Sequence, residues 1–118
     1  MDDEPAIRQL ASTVLTMQGY HVVTTCDGEE AIAAYVEQMK TGRSFQAVIL
    51  DGQVCRGMGG IATVKALIDI DPDVRAIICS GYPATEEIEG CGFKASLPKP
   101  FTCKQLGTLV DQVVNLAA

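Results

Sequence analysis

AVILDGQVC, residues 47–55, holds four consecutive apolar residues, Ala47 to Leu50, and then stops on a carboxylate followed by glycine. A short apolar run bounded by turn residues reads as a strand buried on both faces. Such a strand delivers Asp51 to its own carboxyl end. The pattern on either side of it gives that acid a meaning, because helical and extended segments alternate along the whole chain.

Ile7, Leu10, Ala11, Val14 and Leu15 recur at helical spacing, with Pro5 suited to the first turn and Gly19 to the stop. YHVVTTC (20–26) reads as a strand. Asp27 and Glu30 have capping-box spacing and open a helix carrying Ile32, Tyr35, Val36 and Met39 on one face. After AVIL comes a helix with Ile61, Val64, Leu67 and Ile68, ending near Asp71-Pro72. VRAIIC (74–79) is a strand, 84–90 a short helix and ASL (95–97) a short strand. Thr102 and Gln105 cap a last helix with Leu106, Leu109, Val110 and Val113. Strands alternating with helices specify a parallel α/β sheet, in which ligands gather beyond the carboxyl ends of the strands.

Composition narrows the function. One domain is expected from 118 residues, and a hydrophobic content of 47% with a mean hydropathy of +0.19 excludes a disordered chain. The net charge of −6 argues against a nucleic-acid surface. No apolar stretch approaches the roughly 18 residues of a membrane span, and the acidic start MDDEP is neither a secretory signal nor a transit peptide. The five cysteines (Cys26, Cys55, Cys79, Cys91, Cys103) form no C-x-x-C, and the single histidine, His21, is remote from them in sequence. Thiols in a reducing compartment, the cytoplasm, are the expectation.

Four signals fall at element ends: Asp2-Asp3 before the first helix, Asp51 after VIL, Ser80-Gly81 after AIIC, and Lys99-Pro100 after ASLP. Each alone has an ordinary reading, as helix-dipole acids, turn residues or a solvated lysine. GMGG (57–60) lacks the lysine of a phosphate loop and reads as a turn into the third helix. In a parallel sheet, however, all four signals reach one edge. Three carboxylates about 5 Å apart repel by roughly 3 kcal/mol per pair at an effective dielectric near 20. A hard divalent cation with oxygen ligands, Mg²⁺, would relieve that and accept phosphate oxygens. Asp51 is then the candidate nucleophile toward phosphorus, with Lys99 and the Ser80 hydroxyl balancing phosphoryl charge.

DDEPAIR, VILD with GMGG downstream, CSGY and LPKPF together resemble the receiver domain of two-component response regulators, most like receivers of hybrid sensor histidine kinases. The resemblance covers residues 1–118 as a single receiver domain. It implies a flavodoxin-like doubly wound sheet of order 2-1-3-4-5 with helices on both faces. Asp51 would accept phosphate from the phosphohistidine of a sensor histidine kinase or a histidine phosphotransfer domain. Asp2 and Asp3 would organise Mg²⁺, Asp3 as direct ligand, with Asp51 and the backbone carbonyl of Gln53. Ser80 would be the switch hydroxyl, Lys99 the family's lysine, and Lys99-Pro100 a cis bond. The domain itself would be no enzyme and would touch neither nucleic acid nor membrane. A dimer through the last helix and strand face is a further implied contact.

Three positions depart from the family pattern: Cys55 stands where proline is usual, Ser96 stands where an aromatic residue is usual, and only Met1 remains of the first, internal strand. Losing about four buried apolar side chains forfeits roughly 6–12 kcal/mol, comparable to a whole domain's stability of about 5–15 kcal/mol. The expectation is therefore a chain cut at its first strand from a longer one, with strand donation by a neighbour as the alternative. Two other functions compete with phosphotransfer. One is a receiver-like interaction module indifferent to phosphorylation. The other is a phosphatase with an aspartyl-phosphate intermediate, disfavoured because Gln53 stands where a second carboxylate is common. A flavin-binding reading of the same architecture lacks a phosphate loop after Met1.

Overall fold

The computed structural model describes residues 1–52, 54, 57–81 and 90–116. The elements are α1 (Pro5–Met17), α2 (Gly28–Met39), β1 (Val48–Asp51), α3 (Gly60–Ile70), β2 (Ala76–Ser80), β3 (Ala95–Pro98) and α4 (Cys103–Val114). The three strands form one parallel sheet in the order β1-β2-β3, with Asp51 beside Cys79 and Ser80 beside Pro98. These are the last three strands of the expected order, and the α/β class stands. The expected helix at 84–90 falls on residues outside the described ones, Gly90 excepted.

Local chemistry accounts for the helix starts. Pro5 opens α1, where its missing N–H costs nothing. The Asp27 carboxylate accepts the Glu30 amide and starts α2. At α4 the capping box is complete: Thr102 Oγ1 accepts the Gln105 amide, and Gln105 Oε1 accepts the Thr102 amide.

Two apolar clusters flank the sheet. Ile77, Cys79 and Leu97 pack with Leu15, Leu106, Val110 and Val113 against α1 and α4. Leu50 and Ala76 pack with Tyr35, Val64 and Leu67 against α2 and α3. Helices therefore cover both faces, as the continuous apolar runs require. Asp71 accepts a hydrogen bond from the buried Tyr35 hydroxyl at 2.7 Å, joining α2 to the end of α3.

The reading of residues 20–26 as a strand is corrected: none of them enters a sheet. A strand exists only beside a partner about 4.8 Å away, and on this side the described chain offers one short contact, the Asp2 amide donating to Thr25 O at 3.1 Å. β1 is consequently an edge strand. Its Val48 and Ile49 are half-buried, whereas all five residues of β2 are buried. The expectation that AVIL is covered on every side holds only from Leu50 onward.

Candidate functional site: an acidic cleft at the carboxyl ends of the strands

Asp51 is the last residue of β1 and is 3% exposed. Its amide donates to Met1 O at 3.0 Å, and the Met1 ammonium donates to Ile49 O at 2.7 Å. This pair of bonds is a parallel ladder step, so Met1 lies alongside β1 and brings Asp2 and Asp3 to the same edge. Asp2 is fixed from several directions. Its Oδ1 accepts the Glu4 amide at 2.9 Å, its carbonyl accepts Arg8 Nη1 at 2.8 Å, and its Oδ2 accepts Lys99 Nζ at 3.0 Å. Lys99 Nζ also donates to Asp51 Oδ1 at 3.2 Å. Lys99 is itself placed by β3: its amide donates to Ser80 O at 2.8 Å, just before the cis Lys99-Pro100 bond.

One oxygen each from Asp2, Asp3 and Asp51 fall within 4.8 Å of one another. Three carboxylates so close repel by about 3 kcal/mol per pair at an effective dielectric of 20. Lys99 offsets part of this, and the balance shows in its protonation. Burial, the largest single influence, disfavours its charge. The hydrogen bond to Asp2, the charges of Asp2 and Asp51 and the bond to Asp51 together outweigh burial and hold its pKa above the ordinary lysine value. The Met1 ammonium goes the other way, lowered by burial despite the attraction of Asp2 and Asp51. An all-oxygen donor set at this spacing fits a hard divalent cation such as Mg²⁺.

The structure thus brings together Asp2, Asp3, Asp51 and Lys99. Ser80 is buried at the end of the adjacent strand, β2, and packs against the turn after Asp51: a Cβ on Gly52 would meet Ser80 Cβ at 3.2 Å. Gln53 lies outside the described residues. Sequence reasoning missed three contributors, namely Arg8, the Met1 backbone and Gly60. A Cβ on Gly60 would stand 2.7 Å from Asp51 O, so the start of α3 closes on the phosphoacceptor candidate's own carbonyl only because that residue is glycine. The second and third glycines of the GMGG stretch were the available signal.

The response regulator receiver domain family model matches residues 1–111. The chain belongs to that family. Among curated relatives, it is 31% identical over 118 residues to the sensor kinase CckA of Brucella abortus, covering 98% of this chain and 12% of that protein. It is 43% identical over 120 residues to the ycf27 protein of Cyanidium caldarium, covering 98% of this chain and 45% of that one. The chain therefore spans less than half the length of these two curated relatives. Among solved structures, the NtrX receiver domain of Brucella abortus superposes with a TM-score of 0.85 at 23% identity, covering 98% and 96% of the two chains. A response regulator receiver protein of Sinorhizobium medicae gives 0.77 at 30% identity, covering 97% and 90%. The family is a signalling module rather than a catalytic enzyme. Among the described residues, no helix is long and apolar enough to cross a membrane.

Proposed function

We propose that this chain is a phosphoacceptor: Asp51 takes a phosphoryl group from the phosphohistidine of a sensor histidine kinase or a histidine phosphotransfer domain. One observation carries the reading, the convergence of the Asp2, Asp3 and Asp51 carboxylates within 4.8 Å under the Lys99 ammonium. In the transfer, a carboxylate oxygen of Asp51 attacks phosphorus. The phosphorus–nitrogen bond to the donor imidazole breaks, and its electron pair stays on nitrogen, which takes up a proton. Mg²⁺, when bound by Asp2, Asp3, Asp51 and the residue 53 carbonyl, would neutralise phosphoryl oxygen charge. Lys99 supplies a second positive group already in contact with Asp51, and it moves from Asp51 toward the phosphoryl oxygen as the acid is consumed. The Ser80 hydroxyl, at the adjacent strand end, donates to another phosphoryl oxygen and carries the change toward β3 and α4. Residues 1–118 then act as one receiver domain in a reducing, cytoplasmic setting. The match to CckA over 98% of the chain supports a place beside a kinase in a hybrid protein.

Acetyl phosphate with Mg²⁺ tests this directly. Intact-mass analysis should find one phosphoryl adduct in the unaltered chain and none in Asp51→Asn. An adduct that survives Asp51→Asn, or that forms equally with the cation chelated, would overturn the assignment.

A further inference from the structure

We propose that Arg8 is a positioning residue for the cation: its guanidinium fixes the peptide plane between Asp2 and Asp3, and with it the direction in which Asp3 presents its carboxylate to the cleft. The inference rests on the reading of the acidic cleft as a Mg²⁺ site and deepens it, but it does not need phosphotransfer. Arg8 is half-buried near the start of α1, and its own amide closes the first turn on Glu4 O at 3.2 Å. Helical side chains lean back toward the helix N-terminus, so that of Arg8 reaches over the segment preceding α1. There Nη1 donates to Asp2 O at 2.8 Å. A bond from a charged donor is shorter and stronger than one between neutral groups. The Asp2 carbonyl shares a rigid plane with the Asp3 amide, so a grip on one sets the other.

The segment needs such a grip. Residues 2–4 belong to neither helix nor strand, and the carboxylates of Asp2, Asp3 and Asp51, within 4.8 Å of one another, push it away from β1. The Asp2 side chain is anchored at both oxygens, by the Glu4 amide and by Lys99, and the Asp2 amide is bound to Thr25 O. Arg8 binds the remaining acceptor, the main-chain carbonyl. Because its bond goes to the main chain, it takes no carboxylate oxygen that a cation could use. In α2 the Glu30 carboxylate, which accepts from the Cys26 amide and thiol at 2.9 Å each, attracts the same guanidinium. α2 thus steadies Arg8 while Arg8 steadies Asp2 and Asp3.

The sign of one substitution separates this role from simple electrostatics. Arg8 is a cation beside a cation site, so removing its charge alone should tighten Mg²⁺ binding. Removing a partner that orients a metal ligand should weaken it instead. The test is a Mg²⁺ titration of residues 1–118 at constant ionic strength, followed by the amide NMR shifts of Asp51 and Gly52. Arg8→Met should raise the Mg²⁺ Kd about tenfold, the scale on which outer partners of metal ligands act. Arg8→Lys, which returns a charged donor for a single carbonyl, should recover most of the parent's affinity. Circular dichroism in metal-free buffer establishes that each variant is folded at the temperature of the titration. Should Arg8→Met fold poorly, Arg8→Gln takes its place with the same expectation, since its shorter neutral side chain stops short of Asp2 O. A parent that binds Mg²⁺ beside an Arg8→Met with equal or tighter Kd would overturn the inference and leave the cation site standing, whatever the variant's stability without metal. A parent that binds no Mg²⁺ would overturn both.

Discussion

Removing the Lys99 ammonium would leave the Asp2 and Asp51 carboxylates facing each other across a cleft that already holds Asp3. A hydrogen bond to a charged group contributes about 1.5–3 kcal/mol, so Lys99→Met should lower the unfolding free energy by about 2 kcal/mol at pH 7, read by urea denaturation. The sign of the pH dependence follows from the raised pKa of Lys99. Its contribution is fully present below the unfolded lysine value and is lost as pH rises through the higher folded value. The gap between the two proteins should stay constant from neutrality to about pH 9 and close only in strong alkali. A gap that closes toward neutral pH would contradict the pairing. Cys79 gives a second expectation at this scale. It is 3% exposed, and burial, opposed by Lys99, pushes its thiol up to about 11. A thiol reagent at pH 8 should label the exposed Cys26 and Cys103 in the folded chain but reach Cys79 only at the rate of unfolding. Prompt labelling of Cys79 would show that the α1–α4 side of the sheet is open.

Helix contacts make different demands on two glycines that look alike in sequence. At Gly28, the first residue of α2, a Cβ would stand 1.9 Å from Thr63 Oγ1 and 2.9 Å from the Met58 carbonyl. Thr63 is fully buried and its hydroxyl is bound to Gly59 O at 2.7 Å, so neither obstacle can withdraw. Gly28→Ala should cost about 1–3 kcal/mol, the usual range for overpacking. At Gly107 in α4 the clash is with Gln18 Oε1 at 1.8 Å, the free end of an exposed side chain. Gln18 can swing out at the loss of its bonds to Gly107 O and Asp111, while alanine gains about 0.8–1 kcal/mol of helix propensity. Gly107→Ala should therefore melt within about 1 kcal/mol of the parent, and thermal melts of the two variants side by side check the contrast. Both follow a capping residue in the sequence, and sequence alone cannot rank them, because the ranking depends on what another element places opposite. The helix caps were legible for the converse reason, since Asp27, Thr102 and Gln105 act within three residues of themselves. The run at 20–26 failed for the same reason as the glycines. Its β-branched composition was read as a strand, but pairing needs a neighbouring strand, and the contact described on the β1 side is a single main-chain bond, from the Asp2 amide to Thr25 O.

Across the whole molecule, the acidic cleft was readable because it depends on order and polarity rather than on contacts. Parallel strands deliver their ends to one edge, so Asp51, Ser80 and Lys99 had to arrive together once the alternating pattern was recognised. What the pattern could not supply was the division of labour inside the cleft: Asp2 is held by Glu4, Arg8 and Lys99 at once, and these distances are set by tertiary packing. The same crowding of charge makes a global prediction. Anything that binds the folded chain alone stabilises it by mass action, about 2.7 kcal/mol at a ligand concentration one hundred times its Kd. Saturating Mg²⁺ should therefore raise the melting temperature of the chain by several degrees. Asp3→Asn separates this from a general salt effect. With one negative charge fewer among the three carboxylates, its metal-free form should melt at or above the parent, yet its gain from Mg²⁺ should fall to a small fraction of the parent's. Repulsion and coordination thus move in opposite directions on one substitution. A variant that loses stability in metal-free buffer and keeps the full Mg²⁺ gain would place the cation elsewhere than among Asp2, Asp3 and Asp51.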